Sequence, residues 1–120
     1  MDSVRKSKLN KKYFDEIASG AKTVEGRPAR WLIDPITNKQ LVIGDTIDWT
    51  CRETGKTIKT IVLNIKAYES FESMYDEHGE QLLPGISNRD AAADVYKEWY
   101  EKEMENGSMF IAITLKLIIK

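Results

Sequence analysis

The sequence predicts an α+β fold, a mixed or largely antiparallel sheet that curls into a small β-barrel with flanking helices. Two observations carry this. Apolar and polar residues alternate with the period of strands in the middle and at the C-terminal end of the chain, and between those stretches apolar residues recur at helical spacing. The chain has 120 residues and no repeat, low-complexity tract or Gly/Ser/Pro-rich linker, so the expectation is a single domain over 1–120 with one core.

Each element follows from local signals. Asn10 is placed to cap a short helix with Tyr13, Phe14, Ile17 and Ala18 on one face, and Gly20 to end it. Lys22 to Arg27 then reads as a strand bounded by Pro28, with Lys22, Val24 and Gly26 on one side and Thr23, Glu25 and Arg27 on the other. Asp34-Pro35 and Asn38-Lys39 mark a loop. After Gly44-Asp45 a strand carries Ile47, Trp49 and Cys51 on one face, and Glu53 to Lys56 turns it into an antiparallel partner with Ile61, Leu63, Ile65 and Ala67 on one face. Ser70 caps a helix to about Asp76, and an unusually apolar loop, Leu82-Leu83-Pro84-Gly85, follows. Asn88 caps the clearest helix, whose buried stripe is Ala92, Val95, Tyr96, Trp99 and Tyr100, and Asn106-Gly107 stops it. The last strand alternates from Met109 to Ile119, and its second face is only partly polar.

Composition narrows the function. Apolar residues make up 42% and charged residues 31%, the balance of an ordered globular chain. The most apolar stretch, Met109 to Ile119, is broken by Thr114 and Lys116 and falls short of the roughly 20 residues that cross a bilayer. The basic run Met1 to Lys12 lacks an apolar signal core, and Asp2 argues against an organelle-targeting peptide. One cysteine, Cys51, and one histidine, His78, leave no internal disulfide and no Cys/His metal cluster, so neither metal nor cofactor is expected and a cytoplasmic location is the plain reading. Cys51 reads as a buried thiol, and His78 lacks the partners of a catalytic triad. Net charge is −1, but residues 1–30 carry eight Lys or Arg against four Asp or Glu, and residues 68–105 carry three against eleven. Contact with a polyanion should therefore be local, through the basic third, and the acidic span 69–105 is a candidate surface for a basic protein partner.

The densest chemistry lies at Lys22, Thr23, Glu25 and Arg27. Arg27 can grip a phosphate or carboxylate through two N–H groups, Lys22 supplies a point charge, and Glu25 can accept from an amino or hydroxyl group. The plainer reading is a Glu25–Arg27 ion pair on an exposed strand, with Lys22 solvating the turn. Arg30 and Trp31 add a basic and aromatic grouping suited to stacking a base, or a half-buried loop tryptophan. Tyr96 and Tyr100, one helical turn apart, either present rings and hydroxyls to a ligand or belong to the core, the commoner case.

Tyr13-Phe14-Asp15-Glu16-Ile17 followed by Ser19-Gly20-Ala21-Lys22-Thr23-Val24-Glu25-Gly26-Arg27 resembles the signature of the ASCH domain family. Gly44-Asp45-Thr46-Ile47, Tyr68-Glu69-Ser70-Phe71, Leu83-Pro84-Gly85, Tyr96 with Tyr100, and Ile111-Ala112-Ile113 follow in that family's order, so the resemblance covers nearly the whole chain. It implies a PUA-like fold and a cleft near the Gly-x-Lys-Thr segment that binds RNA or another nucleic acid, with Lys22, Thr23, Glu25 and Arg27 at the matching positions. It also implies an alternative. Some small ASCH-like proteins are amidohydrolases acting on acylated cytidine, with the motif lysine as base and a threonine two positions after Lys-Thr as nucleophile. Lys22 matches that lysine, but Glu25 stands where the threonine is expected, which shifts the implied role from hydrolysis to recognition. If the chain is an enzyme, Lys22 and Glu25 are its catalytic candidates.

Overall fold

The computed structural model describes residues 4–119; Asp2 and the rest of the first three positions of the basic N-terminal run lie outside the described residues. Five strands form one curled, half-barrel sheet: β1 (Val4–Leu9), β2 (Val24–Pro28), β3 (Thr46–Cys51), β4 (Thr57–Tyr68) and β5 (Phe110–Ile119). Their order is β1-β3-β4-β5-β2, with β1 and β3 parallel and the other neighbours antiparallel. Helices α1 (Lys11–Ser19), α2 (Phe71–His78) and α3 (Arg89–Glu105) flank it. Among the described residues no helix is long and apolar enough to cross a membrane.

The apolar interior is two clusters, one on each side of the sheet, rather than the single core expected. Phe14 and Ile17 of α1 pack with Ile47, Trp49, Cys51, Ile58, Val62 and the odd-numbered face of β5, Ile111, Ile113 and Leu115. On the other side, α2, α3 and the 82–83 loop pack on Val24, Tyr68 and the even-numbered face, Phe110 and Ala112. Burial on both sides explains why the second face of β5 is not polar.

Several expectations need correction. β1 was not foreseen, because three of its six residues are basic and it pairs on one side only. Strand β2 begins at Val24, so Lys22 precedes the strand instead of alternating within it. In β4 the buried positions are Ile58, Thr60, Val62 and Tyr68, whereas Leu63 is 49% exposed. A register shift between Val62 and Asn64 breaks the alternation there. Thr60 tolerates complete burial because its hydroxyl accepts from the Trp49 indole at 2.9 Å and donates to the Ile47 carbonyl at 3.2 Å. In α3, Trp99 leaves the predicted stripe and is 49% exposed, next to a break in helical geometry at Tyr100 (φ −135°, ψ 34°).

Candidate functional site

The two edges of the sheet, β1 and β2, are not hydrogen-bonded to one another. A cleft lies where they face across the open side of the half-barrel. It is lined by the end of β1 (Lys8, Leu9), β2 (Glu25, Gly26, Arg27) and Arg52 after β3, with Tyr13 of α1 and Val95, Tyr96, Trp99 and Tyr100 of α3. Asn10, Lys22 and Leu83 complete the lining. The cavity volume of about 80 Å³ exceeds what one water needs and suits a ring edge or small polar group.

Gly20, in the left-handed conformation (φ +85°), ends α1 and turns the chain towards β2. Lys22 is thereby swung inward: its amide donates to the Glu16 carbonyl at 3.0 Å, and its side chain is buried. The ammonium donates to the Leu82 carbonyl and lies 3.2 Å from Glu25 Oε1. The other oxygen of Glu25 accepts from Arg27 Nε at 2.8 Å. Thus a single carboxylate holds two cations, on a strand whose opposite face is occupied by Gly26. A side chain at Gly26 would fall 2.6 Å from Met74 Cε and 2.7 Å from the Tyr96 hydroxyl, which donates to the Gly26 carbonyl at 3.2 Å.

Burial sets the electrostatics. It pushes the carboxyl of Glu25 upward, but the charges of Lys22 and Arg27 outweigh it and hold the group below its ordinary value. Burial lowers the pKa of Lys22 against the pull of Glu25. For Arg27 burial also works downward, and Glu25 overcomes it. Burial raises the phenols of Tyr96 and Tyr100, so both hydroxyls stay protonated donors at neutral pH. Arg27 spends Nε on Glu25, its guanidinium sits 5.1 Å from the Trp31 ring and 5.4 Å from Trp49, and among the described residues its two Nη groups have no hydrogen-bond partner. A guanidinium fixed at one end with its terminal donors unused is prepared for an anion.

Of the residues singled out in the sequence, Lys22, Glu25, Arg27, Tyr96 and Tyr100 line this cleft. The ion pair read for Glu25 and Arg27 is present but buried, not on an exposed strand. Tyr96 is both core and cleft wall. Thr23, Arg30 and Trp31 are not in the lining: the backbone of Thr23 binds Gln81 and Leu115, Arg30 pairs with Glu103 at 2.7 Å, and Trp31 stacks on Trp49 with ring centroids 5.9 Å apart. His78 sits elsewhere, its Nε2 2.8 Å from the Tyr68 hydroxyl. Lys8, Asn10, Tyr13, Arg52, Leu83 and Trp99 went unassigned as cleft residues. Asn10, Tyr13 and Trp99 carried helix signals and Leu83 lies in the apolar loop at 82–85, but none of these pointed to a cleft; Lys8 and Arg52 carry no signal, because they meet only once β1 lies beside β3.

A half-barrel sheet flanked by helices on both faces, with a cationic cleft at its open seam, defines a PUA-like domain. The chain belongs to the ASCH domain family, whose model matches residues 8–119. Its fold is similar to the crystal structure of hypothetical protein PH0355, with TM-score 0.79 and 31% identity over 97% of this chain and 100% of that one. The solution structure of protein PF0455 from Pyrococcus furiosus gives 0.70 and 29%, over 97% of this chain and 98% of that one. ASCH from Zymomonas mobilis, at TM-score 0.67 and 16% identity, covers 94% of this chain and 66% of that one and shares the fold. No protein of curated function matches the sequence.

Proposed function

We propose that the chain is an RNA-binding module that seats a phosphate or base edge of a nucleotide in the cleft between β1, β2 and α3. The observation that carries this reading is Arg27, held through Nε by Glu25 while its terminal donors remain unused beside the cleft. Four cations, Lys8, Lys22, Arg27 and Arg52, face one carboxylate there, and that carboxylate is engaged at both oxygens. Such a lining favours a phosphate. Tyr13, Trp99 and Tyr100 supply ring faces for a base, and Trp99 is open enough to stack one.

Titration of a fluorescein-labelled single-stranded RNA by anisotropy tests this. Affinity should fall as salt rises, and Arg27→Ala or the fold-sparing Arg52→Gln should weaken it. Trp99→Ala should cost about 1–3 kcal/mol if a base stacks there. Binding that ignores salt, or none, overturns the reading.

The alternative, hydrolysis of a nucleoside-like amide in the same cleft, has one observation in its favour: Lys22 lies buried in the cleft wall, where desolvation lowers its pKa from the ordinary value. Against it, the Lys22 ammonium is engaged by Leu82 and Glu25, and Glu25 is held ionised with both oxygens bonded. Turnover on a nucleoside panel that disappears in Lys22→Met would establish this alternative.

A further inference from the structure

Beyond Trp31 lies a second, wider hollow, lined by Arg5 and Lys6 of β1, by Arg30 and Trp31, and by the loop from Ile33 to Thr37, with a volume of about 680 Å³. That is within the range of about 300–1,000 Å³ typical of ligand sites. Its chemistry is unlike an ordinary surface dent. The Arg5 side chain is only 9% exposed, yet Asp34 approaches its Nε no closer than 3.6 Å. Nη2 donates to the Trp31 carbonyl at 2.5 Å, and Nη1 has no hydrogen-bond partner among the described residues. A buried guanidinium left with an unused donor is costly, and it keeps a positive field in the hollow that one carboxylate does not cancel. Lys6 is exposed and has no ion pair among the described residues, while Arg30 is paired with Glu103. Ile36, 92% exposed, and Ile33, 42% exposed, form an apolar lip.

The hollow and the cleft have no lining residue in common, but Trp31, which lines the hollow, reaches a guanidinium of each. Trp31 carries the Arg5 guanidinium 4.1 Å from its ring and the Arg27 guanidinium at 5.1 Å. One arginine belongs to the hollow and the other to the cleft, so the two cationic sites neighbour one another at a single indole.

We infer that the hollow is a second subsite for a single-stranded polynucleotide, which takes the part of the strand adjoining the nucleotide in the cleft. Lys6 contacts a phosphate, Arg5 supplies charge from beneath, and Ile33 and Ile36 meet the apolar face of a base or sugar. The ligand is then a strand and not a free nucleotide. This inference rests on the nucleic-acid reading of the cleft.

The test compares two probes on the full chain: the four ribonucleoside monophosphates, and a labelled mixed-sequence single-stranded RNA about eight nucleotides long. The wild-type chain should bind the strand more tightly and with a steeper salt dependence than any monophosphate. Lys6→Gln should reduce the strand's slope of log affinity against log salt by about 0.7, the value of one phosphate contact on a single strand. Ile36→Asp, at an exposed position, should weaken the strand as well, and neither variant should move monophosphate binding. Monophosphates bound as tightly as the strand, or an unchanged slope in Lys6→Gln, overturns the second subsite and leaves the cleft standing. If the wild-type chain binds neither probe, both readings fall.

Discussion

Replacing Glu25 by glutamine keeps the size of the side chain but removes the charge that Lys22 and Arg27 share. Two cations would remain in a largely buried setting without a carboxylate, and breaking a buried pair in this way costs about 3–5 kcal/mol. Urea unfolding of Glu25→Gln at neutral pH should show a loss of that order. The pH dependence has a definite sign, because the folded-state pKa of Glu25 lies below its ordinary value of 4.5. The stabilisation is complete above the unfolded pKa and disappears as pH falls through the folded one. Wild-type stability should therefore drop on acidification below about pH 4.5, and this component should be absent from Glu25→Gln. Gly26 makes a steric prediction at the next position. Its φ is not positive, so Gly26→Ala introduces no backbone strain and tests close packing alone. With Tyr96 and Met74 inside 3 Å of the added carbon, overpacking should destabilise the fold by about 1–3 kcal/mol in the same assay.

The helices differ in how their first turns are satisfied, and the difference is measurable. Ser70 and Asn88 accept from the amides of Ser73 and Ala91, at 3.1 and 3.0 Å, as the sequence predicted. Asn10 makes no such bond; the amide of Lys11 instead donates to both oxygens of Glu53, which reaches across from the β3–β4 turn. Asn88→Ala should lower stability by about 1 kcal/mol, and Asn10→Ala should cost less than Glu53→Ala in thermal unfolding. This contrast shows what was legible beforehand. Strand β3 and helix α3 declared themselves through the period of their apolar residues, β5 through a long apolar alternation whose second face is buried too, and α2 through its Ser70 cap. β1 could not, since an edge strand rich in lysine needs no apolar alternation. The inward face of β4 was misread because Thr60 serves the Trp49 indole, a partner visible only in three dimensions. At the cleft, the Lys22–Arg27 segment was found from its own chemistry. The opposite wall, Lys8 and Arg52, is created by the parallel pairing of β1 with β3 and has no local signature.

Across the whole molecule, β4 and β5 form the centre of the sheet and β1 and β2 its margins. Hydrogen exchange should follow that arrangement: amides shared by β4 and β5 should exchange slowest, those of β1 sooner, and bound RNA should slow β1 and β2 selectively. Equal protection of all five strands would contradict the arrangement. Charge is divided on the same scale, with the acidic residues of 69–105 on α2, α3 and their connections and the cationic cleft at the seam. The acidic helix α3 also supplies one wall of that cleft, so charges of both signs meet at the seam. The unclosed seam also creates a hazard for the molecule itself. A free strand margin is a template for other chains, and lysines projecting from it are one of the means by which proteins prevent such pairing. Lys6 and Lys8 stand exposed on β1, so their charges keep neighbouring copies apart. Under the proposed nucleic-acid reading, colloidal behaviour and recognition are coupled through the same two side chains, and a variant with a weaker grip on polyanions would also be a stickier protein.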